Sequence, residues 1–288
     1  MTTLPTRVVD AHVHLWDPAR TDWYPYLSRP PEGGDGDASR MYRRFDVETY
    51  RAESARWNVE KFVNVAAATG RHSIEETIEL DAGADTTGRP DPIIGCLPPT
   101  DTVAEAIELI DRQMTASRFR GIRLMGANMG PVPDPGVLRA LSERDLVFEL
   151  MTHPDQLRVA AGQLAAYDDL VVVVEHTGWP RTNSDEERAL WKGGIETLAG
   201  LGDNVVCKLS GLAMPFGSMR AEVLAPWLEY ALGAFGADRC MFASNFPVDS
   251  MYGTFDELYD AFSAVTADFD GKARAKLFAD NAERVYRC

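Results

Sequence analysis

The chain has 288 residues, 45% hydrophobic and 25% charged, which is enough for one large buried core and argues against disorder. Its formal net charge of −15 repels phosphate backbones and anionic membranes, so nucleic acid and membrane surfaces are disfavoured and a small molecule is the expected partner. No apolar run approaches ~20 residues, and the N-terminus lacks a basic segment followed by an apolar one, so neither a membrane span nor a secretion signal is expected.

The first apolar run, Val8–Leu15, reads as a strand. A long loop follows, from Trp16 to about Asp46, carrying Trp23, Tyr24 and Tyr26 and then the Pro- and Gly-rich stretch Pro30–Gly36. Such a loop is either a lid over a site or a surface insertion. Seven further strand candidates follow: Phe62–Ala67, Ile93–Leu97, Gly121–Met125, Val147–Met151, Val171–Glu175, Val205–Leu209 and Met241–Ser244. Helical periodicity fills the gaps at Val47–Asn58, Ser73–Asp85, Val103–Ala116, Pro135–Arg144, Asp155–Tyr167, Asp185–Leu201, Arg220–Phe235 and Phe255–Val265, with a last helix over Ala273–Val285. Ser73 followed by Glu76 has the spacing of a capping box.

Eight strand-then-helix units with near-continuous apolar strands predict a parallel sheet buried on both faces, closed into a single-domain (β/α)8 TIM barrel over residues 1–288. An open doubly wound sheet is the alternative, and the missing Gly-rich loop after the first strand counts against it. Cys96, Cys207, Cys240 and Cys288 are far apart and form no CxxC motif. Thiols packed as small hydrophobes in a reduced, cytoplasmic protein are the natural expectation. An assembly of identical chains is left open.

A barrel of this kind places its chemistry where strands end. His12 and His14 are two apart on the first strand, so both imidazoles face one side and converge on the mouth. Together they suit one metal ion or one substrate oxygen, against the alternative of a hydrogen-bonded core pair. His176 ends the sixth strand, after four valines and Glu175. His153 follows the fifth strand, as a substrate contact or the start of the next helix. His72 precedes a helix and reads as solvated capping. Arg123 ends the fourth strand, where its fork suits a carboxylate or polarised carbonyl, or else a structural pair with Glu149 or Glu175. Lys208 sits in an apolar strand and so needs a partner or a function. Asn245 follows the eighth strand, where a barrel hydrolase places a base, yet a carboxamide takes no proton at neutral pH.

The run Asp10–Ala11–His12–Val13–His14–Leu15–Trp16–Asp17–Pro18 resembles the opening of the amidohydrolase-2 family, within the amidohydrolase superfamily. It is most similar to the lactonase-like group that holds sugar-acid lactonases and 2-pyrone-4,6-dicarboxylate lactonase. Arg120–Arg123, Glu175–Gly178, Lys208–Gly211 and Asn281–Tyr286 agree in order along the chain. The resemblance implies a barrel with His12, His14 and His176 around the substrate and hydrolysis of a lactone or related carboxyl derivative; from their own positions Arg123, His153, Lys208 and Trp16 are expected as substrate contacts. It also implies an aspartate after the eighth strand, as metal ligand and base, where this chain has Asn245. Expectation therefore leans to no required cofactor, with a divalent ion such as zinc on His12 and His14 as the alternative; Asp249, beyond Pro247, is expected to point elsewhere. Two other readings stay open: a lyase that decarboxylates or dehydrates a small acid, and a binding or biosynthetic homologue without a base.

Overall fold

The computed structural model describes residues 4–28, 36–125 and 130–288. Eight parallel strands pair in chain order: β1 Val8–Val13, β2 Val59–Val65, β3 Ile93–Leu97, β4 Phe119–Leu124, β5 Val147–Leu150, β6 Val172–Val174, β7 Val205–Leu209 and β8 Cys240–Phe242. The chain beyond β8 closes the ring against β1, with His14 N–H donating to Phe246 O and Asn245 N–H to His12 O, each at 2.8 Å. This is the (β/α)8 barrel that the strand count predicts.

Strand bounds differ from the periodicity at their ends. β1 stops at Val13, β6 at Val174 and β8 at Phe242, short of Leu15, Glu175 and Ser244. After β6 the chain turns into the short 3-10 segment Glu175–Gly178, while the residues after β1 and β8 meet one another across the closure of the ring. β2 starts earlier than expected, at Val59.

Helices α1 Val47–Glu53, α2 His72–Thr87, α3 Val103–Gln113, α4 Pro135–Glu143, α5 Pro154–Leu164 and α6 Asp185–Ala199 surround the barrel. Short α7 Ala213–Phe216 sits in the β7 loop, and α8 Ala221–Phe235 and α9 Phe255–Val265 complete the ring. α1 ends five residues before the predicted Asn58, with Asp46 accepting from Thr49 N–H at its start. The final segment runs through α10 Gly271–Ala275, a π-turn Lys276–Asp280 and α11 Asn281–Tyr286.

Two apolar layers result. Val9, Ala11, Val63, Val147, Val206 and Met241 pack inside the barrel, against Ala282, Val285 and Tyr286 of α11, which stoppers its base. Val8, Val13, Phe148 and Leu209 pack outward beneath the helices. Cys96, Cys207 and Cys240 are buried free thiols, as their apolar settings predict.

The Ser73–Glu76 capping box does not form. α2 begins at His72 instead, and Ser73 Oγ donates to Gly70 O at 2.8 Å. Glu76 turns inward and accepts from Ala67 N–H, Ala68 N–H and Tyr24 O–H at 2.8–3.0 Å. These donors at the end of β2 and in the first loop outcompete a helix cap.

The loop after β1 is packed over its described part. Trp16 and Phe45 exchange backbone hydrogen bonds at 2.9 and 3.0 Å, and Trp23, Tyr24 and Leu27 are buried. Of the stretch Pro30–Gly36, residues 30–35 lie outside the described residues. Asp17 accepts from Ala19 N–H at 3.0 Å, a turn role. Among the described residues no helix is long and apolar enough to cross a membrane.

Candidate active site

The pairing register of β1 slips between Asp10 and Val13, an irregularity that re-aims side chains at the mouth. His12 and His14 consequently converge, with Nε2 atoms 3.2 Å apart. His14 Nδ1 lies 2.7 Å from Val65 O, and a carbonyl only accepts, so Nδ1 carries the proton and Nε2 a lone pair. On the other side, Lys208 Nζ lies 3.4 Å from His12 Nδ1. An ammonium only donates, so His12 Nδ1 holds the lone pair and its Nε2–H donates to His14. The result is an ordered line of donors and acceptors from Lys208 through both rings to β2.

Lys208 also meets both oxygens of Glu149 at 2.7 Å, and Tyr286 O–H donates to the same carboxylate at 2.6 Å. Burial pushes Glu149 up, with Lys208 opposing. Arg123 Nη1 lies 3.5 Å from Glu175, and its Nη2 donates to Ala66 O. Arg123 Nε and both Glu175 oxygens are buried without hydrogen-bond partners. Such groups are costly to leave unsatisfied in a dry interior, and at a barrel mouth they are what a ligand would meet.

His176 stands at the end of β6, where His176, Thr177 and Trp179 all have positive φ of 44–56°. Left-handed backbone at non-glycine residues costs of order 1–3 kcal/mol each and clusters at functional sites. This turn brings His176 Nδ1 to 3.1 Å from Ser210 Oγ and its ring to 4.6 Å from that of His12. Burial, then Arg123 and Lys208, press the His176 pKa down to about 3. His12 falls well below its usual value through burial and then Lys208, and His14 through burial and then Arg123. All three imidazoles are neutral at physiological pH.

Trp16 stacks on His14 at 5.7 Å between ring centres, with its indole N–H on Arg43 O. His153 stands one layer out, at the start of α5, with its ring 4.5 Å from Trp179 and its Nδ1 3.1 Å from Trp179 O. His72 pairs with Glu75 and stacks over Trp23 on the surface.

Asn245 adopts φ 57° beside His12, and its Nδ2 donates to Asp249 Oδ1 at 2.8 Å. Asp249 lies outside the group of possible metal ligands but turns back onto Asn245. The chain after Pro247 folds back as a 3-10 turn over Asp249–Tyr252, which returns the carboxyl to Asn245. Burial pushes Asp249 up to about 7.

Glu149, Glu175, Ser210 and Asp249 complete a cluster that the sequence reading named only in part. The signal for the two glutamates was available: a carboxylate inside the apolar run Val147–Leu150, or directly after Val171–Val174, needs a partner, as Lys208 does.

One ring nitrogen each from His12 and His176 and a Glu175 oxygen lie within 4.8 Å of one another. Two imidazoles and a carboxylate form a donor set that zinc accepts, so these residues fit one divalent ion, with Arg123 already facing the same Glu175 carboxylate. The His12 and His14 Nε2 spacing also matches that of two ligands on one tetrahedral ion, roughly 3.3 Å. Ligation through His12 Nε2 would require its proton to move to Nδ1, facing Lys208.

The family model described as Amidohydrolase matches residues 9–288. A Sinorhizobium fredii protein, y4mH, is 31% identical, covering 97% of this chain and 98% of that one. An L-fucono-1,5-lactonase of Burkholderia ambifaria is 30% identical, covering 97% of this chain and 95% of that one. The crystal structure of an amidohydrolase from Burkholderia multivorans with bound zinc superimposes with a TM-score of 0.81 at 24% identity, covering 99% of each chain.

Proposed function

The chain belongs to the amidohydrolase family, and from that premise we propose that it is a hydrolase that opens a small lactone, a cyclic ester of a sugar acid or of a similar carboxylate-bearing compound. The observation that carries this reading is the meeting of neutral imidazoles with two fixed cations at one mouth: His12 lies 3.4 Å from Lys208, and Arg123 lies 3.5 Å from Glu175 beside His176. The lactonase among the relatives supports the choice of ester.

Ester hydrolysis needs a nucleophilic water, an acceptor for its proton and a cation for the oxyanion. Arg123 polarises the lactone carbonyl and stabilises the oxyanion formed when water adds, while Lys208 orients the His12 ring from behind. His176 receives the proton of that water through its neutral ring. The ring C–O bond then breaks as the carbonyl re-forms, and the proton passes to the departing ring oxygen. The product is the open hydroxy acid, with water consumed and no other reactant. Preset hydrogen bonds to Val65 O and Ser210 hold the rings in place beforehand. Trp16 backs the His14 ring and holds it at the mouth.

A divalent ion held by His12, Glu175 and His176 would supply Lewis-acid polarisation of the same carbonyl. On this reading hydrolysis proceeds without it, because the Arg123 guanidinium already stands beside Glu175 and His176.

A panel of five- and six-membered sugar-acid lactones, followed by acid release, tests this function. Ring opening of at least one lactone, with loss in Arg123→Met, is the expected result. Release of CO₂ from aromatic acids with no lactone opened would replace it by a lyase. Tight lactone binding without turnover would make the protein a binding homologue.

A further inference from the structure

Asn245 stands where the reaction calls for an acceptor, and an amide presents either a donor or an acceptor depending on its rotation. Its Nδ2 donates to Asp249 Oδ1 at 2.8 Å, which fixes that rotation because a carboxylate only accepts. Oδ1 then lies on the opposite side of the planar amide from Asp249. The backbone of Asn245 is tied to His12 O at 2.8 Å, and its φ of 57° turns the side chain out of the strand direction. Asp249 itself has no exposed surface, and the donors that face its carboxyl are the Asn245 amide and the Ala213 backbone N–H. A fully buried carboxyl with no cation beside it is costly and calls for a role.

We propose that Asp249 is a positioning residue that locks the Asn245 carboxamide with Oδ1 turned to the barrel mouth, so that this amide receives a hydrogen of the attacking water or of a substrate hydroxyl. The proposal rests on the lactonase reading for its kinetic consequences alone. It explains how position 245 works without an acid: the ionisable group stands four residues on, at 249, and acts through the amide. A charge-assisted hydrogen bond from Nδ2 to Asp249 polarises the amide and makes Oδ1 a better acceptor. The neighbours that shift the Asp249 carboxyl are the Asn245 amide and the Ala213 backbone N–H, and no lysine, arginine or histidine is among them.

The same geometry predicts that Asn245→Asp is no simple repair. It places two carboxyls in contact in a buried site, where they must share one proton. Exchanging the two residues, Asn245→Asp with Asp249→Asn, restores one amide and one acid with the donor direction reversed.

The test is lactone kinetics against pH for the wild type, the two single variants and the exchanged double variant, with the Asn245 side-chain amide followed by NMR in ligand-free protein. Asp249→Asn is expected to lower kcat at least tenfold with KM within about twofold, and to flatten the acidic limb of the kcat profile. The exchanged variant is expected to recover at least tenfold over either single variant. In the wild type both Asn245 amide protons shift as Asp249 titrates, and in Asp249→Asn they do not. Wild-type kcat and pH profile in Asp249→Asn overturn the proposal, as do single-variant losses that simply multiply in the double variant. A wild type that opens no lactone defeats the functional reading instead. The NMR titration then still judges the pair, and amide resonances that ignore pH overturn it.

Discussion

The Lys208 ammonium lies 2.7 Å from both carboxylate oxygens of Glu149, and neither side chain reaches solvent. With Tyr286 O–H on the same carboxylate, the C-terminal helix that stoppers the barrel base also braces the charge aimed at His12. Removing one member of such a pair strands a buried charge. Glu149→Gln is expected to cost about 3–5 kcal/mol in urea unfolding, while joining Glu149→Leu to Lys208→Met restores most of it. A single-variant cost under about 1 kcal/mol would show that the pair does not carry stability.

Gly211 is fixed by the ring it faces. A Cβ there would lie 2.6 Å from the His176 ring, at a backbone φ of 68°. The clash is with the catalytic candidate itself, so Gly211→Ala displaces His176 or strains β7's end. We expect kcat to fall on the order of 10²-fold with folding retained. Unchanged kcat would mean that His176 does not need its observed place.

The barrel was legible because its strands are apolar on both faces, and eight such runs spaced by helical periodicity admit few architectures. Strand ends were less legible, because at Glu175 the chain turns into a 3-10 segment and beyond β8 it meets the end of β1, which periodicity cannot register. His12, His14, His176, Arg123 and Lys208 could be placed from strand position alone. Asp249 could not: Pro247 suggested divergence, whereas the 3-10 turn that returns the carboxyl is a tertiary outcome. The Ser73–Glu76 spacing misled for a similar reason, since Glu76 had better donors across the fold.

Glu76 gives the pH prediction. Burial raises it to about 7, against an ordinary value of 4.5, although it accepts from two backbone amides and Tyr24. A carboxyl with a raised folded pKa binds its proton more tightly when folded. Its contribution is therefore full below 4.5 and is lost as pH rises through about 7. Glu76→Gln removes this dependence while keeping an acceptor for the amides. Relative to wild type, the variant should gain on the order of 2 kcal/mol in chemical unfolding between about pH 5 and about pH 8. A gain that is equal at both pH values would show that Glu76 is ionised throughout.

The last prediction separates fitting a metal from needing one. His12, Glu175 and His176 present the donors, yet Lys208 orients the His12 lone pair to Nδ1, 3.4 Å away, and Arg123 already faces Glu175 at 3.5 Å. An ion entering this mouth meets two cations, and ligation through His12 Nε2 would reverse a tautomer that a buried ammonium fixes. Its net gain is reduced by both, since opposing charges in a low-dielectric site are felt strongly. Lactone turnover in chelator-treated protein is therefore expected to stay above about half of the untreated rate, and added zinc to raise it less than about threefold. Lys208→Met removes the repulsion and frees His12 Nδ1 to take the proton, so this variant should hold zinc more tightly in elemental analysis after dialysis. About one equivalent of zinc in wild-type protein, with activity lost on its removal and regained on its return, would show that the ion and not the Arg123 guanidinium carries the electrostatic role.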